Sequence, residues 1–121
     1  MCILMTRLTT HVLDVAAGIP AAGMRIELQT MTSSGSRVLA DVLTSSDGRC
    51  PGPLLEGGDF RAGRYSLVFH VSEYFKARGV GLSDPPFLDR VVVEFGISDA
   101  TSHYHVPLLV SPWSYSTYRG S

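Results

Sequence analysis

Short runs of alternating apolar and polar residues, cut apart by glycine, proline and serine, limit this chain to an all-β fold. The clearest run is 63–71, where Tyr65, Leu67, Phe69 and Val71 fall on one side of an extended chain. Residues 6–15 repeat the pattern, with Leu8, Thr10, Val12 and Asp14 on one face and Arg7, Thr9, His11, Leu13 and Val15 on the other. Residues 24–31 set Met24, Ile26 and Leu28 against Arg25, Glu27 and Gln29, a strand with one wet face. A hairpin turn at 32–36 leads into a strand over 37–44. Asp47-Gly48 then supplies the positive φ of a tight reversal, immediately before Arg49.

The remaining chain follows the same logic. Residues 16–23 carry two glycines and a proline and read as a loop, and 51–62 read as irregular with one short strand at Leu54-Leu55. Residues 72–79 change character, with a serine cap, good helix formers, basic residues in the last turn and a closing glycine, which predicts a two-turn helix. Asp84-Pro85-Pro86 reads as a rigid extended link, 87–95 as a strand, and 96–101 as a turn. In 102–110, His103, His105 and Pro107 share one face opposite Tyr104, Val106 and Leu108. Ser111-Pro112 turns the chain into a last strand that runs to Ser121. Seven or eight short strands with one short helix predict an antiparallel β-sandwich, in one domain spanning 1–121.

Composition narrows the partners. A formal charge of −1 gives no electrostatic reason to expect nucleic acid or an anionic membrane. Two cysteines, Cys2 and Cys50, are too few for a disulfide framework and read as reduced thiols. The apolar start, Met1 to Met5, is shorter than a signal-peptide core, and no stretch approaches a transmembrane helix, so a cytoplasmic location is expected.

Histidine and arginine dominate the candidate chemistry. His103-x-His105 puts two imidazoles on one face of a strand, about 7 Å apart, a spacing suited to metal ligation or acid–base work. His11, His103 and His105 could together make a three-histidine zinc site, but no cysteine or carboxylate cluster supports that reading. His70 ends an apolar strand and reads as structural, while His11 and Arg49 taken alone read as surface groups. There is no Gly-x-Ser-x-Gly elbow, and Cys50 reads as a spare thiol although Arg49 adjoins it. By elimination the available chemistry is histidine acting on water, with arginine holding an anionic or carbonyl-rich substrate. Trp113 and Tyr115 read as packing or interface residues.

At Tyr118-Arg119-Gly120-Ser121 the pattern becomes specific. That ending, preceded by His105-Val106-Pro107-Leu108-Leu109 and Ser111-Pro112-x-Ser114-Tyr115-Ser116-Thr117, resembles the 5-hydroxyisourate hydrolase branch of the transthyretin-related proteins. Leu8 to Val15, Gly18 to Gly23, Thr44 to Arg49 and Tyr74-Phe75 extend the resemblance over nearly the whole chain. The resemblance implies a transthyretin-like sandwich, hydrolytic opening of 5-hydroxyisourate to 2-oxo-4-hydroxy-4-carboxy-5-ureidoimidazoline in urate breakdown, and no cofactor or metal. It also implies a homotetramer, a dimer of dimers with sites where the dimers face each other. Its catalytic residues fall on His11, Arg49, His105 and Ser121, with Tyr118, Arg119 and Gly120 completing the terminal motif and contributing to substrate binding. His103 is not the matching histidine. The alternative is a transthyretin-like carrier of a small ligand without catalysis.

Overall fold

The computed structural model describes residues 6–120. Met1 to Met5, with Cys2, and the candidate Ser121 lie outside the described residues. The chain runs β1 (Arg7–Asp14), β2 (Ile19–Pro20), β3 (Arg25–Thr32), β4 (Gly35–Leu43), β5 (Leu55–Glu56), β6 (Gly63–Phe69), α1 (Val71–Ala77), β7 (Val91–Ile97), β8 (Tyr104–Val110) and β9 (Tyr115–Thr117). A four-stranded sheet has the order β4-β3-β6-β7, and all its pairings are antiparallel. The other sheet is five-stranded, with β2-β1-β8-β9 in line and β5 also paired to β1. The sandwich and, among the described residues, its one short α-helix are as the sequence implies, and Gly57–Asp59 adds a turn of 3-10 helix.

Alternation builds the core. In β1, Leu8, Thr10, Val12 and Asp14 are buried while the residues between them are half-buried. Leu108 and Val110 of β8, Met24, Ile26 and Leu28 around β3, and Leu67 and Phe69 of β6 meet them between the sheets. Each such side chain contributes about 1.5–3 kcal/mol by leaving water, and cutting Leu67 back to Ala would cost about 2–5 kcal/mol. The central strand β6 is buried on both faces from Tyr65 to Phe69, so only half of its burial shows as alternation.

Several local expectations need correction. The helix starts at Val71, and no side chain caps it. Ser72 lies inside the helix, where its hydroxyl donates to Asp89 at 2.6 Å and pins the loop that follows. The closing glycine is as expected, with Gly79 at φ +81. Asp84–Pro85 is cis rather than an extended link. β7 begins at Val91, later than the run of apolar residues from Phe87 suggests. Ile19–Pro20, expected as loop, pairs with the end of β1.

Two departures matter for function. First, β1 and β8 are parallel, with Thr9 opposite His105 and His11 opposite Pro107. Alternation cannot reveal strand direction, because it sorts side chains by face only. Second, β9 covers only Tyr115–Thr117. Pro107 has no N–H to give the ladder, so pairing lapses at Tyr118 and Arg119 and resumes in the same register at the bridge between His105 and Gly120.

Candidate active site

The site lies on the outward face of β1 and β8, where Thr9, His11 and His105 project away from the core. The edge of β1 not taken by β8 is covered in turn by β2, by Gly48 and Arg49, and by the Leu54 to Glu56 segment. Val12 donates to the Gly48 carbonyl at 2.9 Å, and His11 bridges Arg49. Gly48 is at φ +79, and any Cβ there would strike the Val12 carbonyl oxygen. Asp47 shapes the same turn by accepting from the Ser45 hydroxyl at 2.8 Å and the Arg49 N–H at 3.1 Å. Those bonds hold its carboxyl below the usual range.

An open cleft of about 490 Å³ is lined by Arg7, Thr9, Arg49, Cys50, Pro53, His103 and His105, among others, and among the described residues no carboxylate lines it. Its charge therefore suits a carbonyl-rich or anionic guest. The His105 pKa lies below that of an ordinary imidazole, first through burial and then through the charges of Arg49, His103 and His11. Its ring is thus held neutral at neutral pH. Nδ1 of His105 is 2.8 Å from the Thr9 hydroxyl. Nε2 of His11 is 2.8 Å from the Asp47 carbonyl oxygen. A carbonyl only accepts, so Nε2 carries the proton and a neutral His11 keeps its lone pair on Nδ1.

The structure thus gathers Arg49, His103 and His105 at one cleft, with His11 beside it. Gly120 arrives there too, donating to the His105 carbonyl at 2.7 Å. Arg119 does not line the cleft. Its guanidinium stacks on the Tyr104 ring at 4.0 Å and reaches the His103 carbonyl at 3.4 Å. Tyr118 is exposed. His70 is buried away from the site, between Glu27 at 2.7 Å and Glu73 at 3.3 Å, which fits its structural reading. The Cys50 thiol is pushed up to about 11 by burial, the opposite of activation by Arg49. Among the described residues no group of three or more His, Cys, Asp or Glu side chains is placed to hold a metal ion.

Reasoning from the sequence overlooked Thr9 and Arg7. Alternation puts both on the face of His11, but nothing in a threonine's spacing marks it as a partner for a histidine some ninety residues away.

The sequence pattern of the HIUase/Transthyretin family matches residues 8–120. A 5-hydroxyisourate hydrolase of Pseudomonas aeruginosa is 57% identical over 117 residues, covering 97% of this chain and 93% of that protein. The crystal structure of an (S)-allantoin synthase superposes with a TM-score of 0.92 at 47% identity, and the match spans 97% of this chain but 44% of the other. Sea bream transthyretin in complex with thyroxine superposes at 0.84 with 28% identity, over 94% of each chain.

Proposed function

The chain belongs to the HIUase/Transthyretin family, and on that premise we propose that it hydrolyses 5-hydroxyisourate to 2-oxo-4-hydroxy-4-carboxy-5-ureidoimidazoline. One observation carries the reading within the family. The cleft is lined by two arginines and two histidines, whereas a pocket for an apolar hormone would be mostly apolar.

Water must add to a ring carbonyl that has a nitrogen leaving group. His105 is the general base, because its depressed pKa keeps the ring neutral when the solution is neutral. His11 assists from the adjoining position on β1, with the lone pair on Nδ1 directed by its bond to Asp47. Arg49 donates to the substrate carbonyls and to the oxyanion that forms on attack. One well-placed donor of this kind is worth about 3 kcal/mol in rate. Ser121, which completes the terminal motif, is the fourth member of the catalytic set. Gly120 seats the tail on His105. Arg119 serves substrate binding by anchoring that tail through Tyr104, and Tyr118 faces outward between them. The reaction draws on no cofactor.

The working unit is a homotetramer, a dimer of dimers, with two such faces closing over each site. Support comes from the outer strands β7 and β9, which end their sheets, and from the exposed Trp113, Tyr115 and Tyr118 around the tail. Closure would exclude water and strengthen the arginine contacts.

The test is the ultraviolet decay of 5-hydroxyisourate generated in the cuvette by urate oxidase, with a chelator present. Accelerated, chelator-resistant decay is expected. No acceleration by an intact tetramer would make the protein a small-ligand carrier.

A further inference from the structure

We propose that the Thr9 hydroxyl is a proton relay joining His105 to His103, so that His105 serves as base and then as acid without becoming charged. The inference rests on the hydrolase reading above and assigns roles to two residues which that reading leaves idle.

The geometry is specific. Thr9 Oγ1 is 2.8 Å from His105 Nδ1 and 3.5 Å from His103 Nε2. The second distance is at the limit of a hydrogen bond, as is common before a substrate closes a site. Thr9 stands opposite His105 in the parallel register, and its branched Cβ restricts the hydroxyl to few rotamers. Its neighbour Thr10 points inward and spends its hydroxyl on the Val106 carbonyl at 2.6 Å, so the two threonines have different work.

A hydroxyl has one proton, so between two imidazoles it donates to one and accepts from the other. With His105 Nδ1–H donating to Thr9, and Thr9 donating to His103 Nε2, the lone pair of His105 is on Nε2. That is the basic form. The reverse order protonates Nε2 and leaves His105 unable to accept from water.

The step then balances. The water oxygen bonds to the ring carbonyl carbon, and the water proton goes to His105 Nε2. The Nδ1 proton moves to Thr9 Oγ1, the Thr9 proton moves to His103 Nε2, and His103 becomes the imidazolium. As the C–N bond breaks, His105 Nε2 returns its proton to the leaving nitrogen. Thr9 reprotonates Nδ1 and His103 reprotonates Thr9, so water has been added across one C–N bond. His105 is faced by Arg49, His11 and His103, and burial also disfavours its charge. Moving the charge on to His103 avoids an imidazolium at His105.

Thr9 and His103 are positioning residues in this scheme, and the test uses kcat, KM and a proton inventory in mixtures of light and heavy water. Thr9→Val keeps the shape and removes the hydroxyl. It is expected to lower kcat about a hundredfold, the low end of what positioned proton transfer supplies, with KM little changed. Thr9→Ser restores the hydroxyl and should recover most of the rate. The wild-type inventory should be curved, with several protons in flight, and the Thr9→Val inventory linear. His103→Gln should cost as much as Thr9→Val, and the double variant no more than either. Wild-type kcat in Thr9→Val, equal losses in Thr9→Val and Thr9→Ser, or a curved inventory without the hydroxyl would overturn the relay. A wild-type protein that leaves substrate decay unchanged would instead overturn the hydrolase reading beneath it.

Discussion

Gly120 lies flat against the His105 imidazole. A Cβ at position 120 would stand 2.7 Å from His105 Cδ2, and the Gly120 N–H donates to the His105 carbonyl at 2.7 Å. The tail therefore sets the ring position from one side, and Thr9 holds Nδ1 from the other. Gly120→Ala should displace the imidazole or lift the tail. Misplacement of about 1 Å can cost a hundredfold in rate, so kcat is expected to fall about that much, with melting temperature nearly unchanged. Steady-state kinetics and a circular dichroism melt check it, and full activity would mean that the tail does not position His105.

His105 titrates below an ordinary histidine because burial, then Arg49, His103 and His11, disfavour its charged form. The folded protein thus binds this proton more weakly than the unfolded chain. The stability linked to it is fully present above the unfolded value of about 6.5 and is lost as pH falls through that value towards the folded one. The basic form is likewise retained down to the lowered pKa, so the acid limb of kcat/KM should have its midpoint below about 6.5. An NMR titration of the His105 ring gives the same quantity directly. His103→Asn removes one of the opposing charges and should move it upward.

Tyr74 of α1 donates to the buried Asp14 at the end of β1 at 2.9 Å, and burial, then that contact, push its hydroxyl pKa up to about 12. Asp14 also accepts from the Ala17 N–H at 3.0 Å and meets Arg78 at 3.5 Å. Tyr74→Phe takes one partner from a buried carboxylate and should destabilise the fold by about 1–3 kcal/mol, measured by denaturant unfolding. Turnover at 25 °C should be unchanged, since the pair lies on the core side of β1.

Cys50 borders the cleft with its thiol pushed up to about 11. Alkylation by iodoacetamide should be slow at neutral pH and rise about tenfold per pH unit between 7 and 9, following the thiolate fraction. Modified protein should lose turnover as the cleft fills. A plateau near pH 8 would mean that Arg49 activates the thiol after all.

Much of this was legible in the sequence, and the gaps have physical causes. Period-two alternation fixed which residues of β1, β3 and β8 face inward, because burial enforces it strand by strand. It could not show that β1 and β8 run parallel, which is what sets Thr9 beside His105. Nor could it separate Ser72 as a helix cap from Ser72 as a partner for Asp89, since both uses need the same hydroxyl. Pro107 was visible as a residue without an N–H, yet its consequence, the lapse in pairing before Gly120, depends on which strand lies opposite. His11, Arg49 and His105 are singled out by the resemblance of the motifs around them, and the structure sets Arg49 and His105 at one cleft with His11 beside it. Arg119, expected to contribute to substrate binding, stacks on Tyr104.

The central claim is that His105 activates water against 5-hydroxyisourate, and the most direct measurement compares wild type with His105→Asn in the substrate-decay assay. Asparagine keeps polar bulk beside Gly120 and Thr9 but cannot take a proton. The account predicts rapid decay with wild type and a rate reduced by a factor on the order of 10²–10⁴ with His105→Asn, at unchanged circular dichroism and assembly state. Equal decay with both proteins would contradict it.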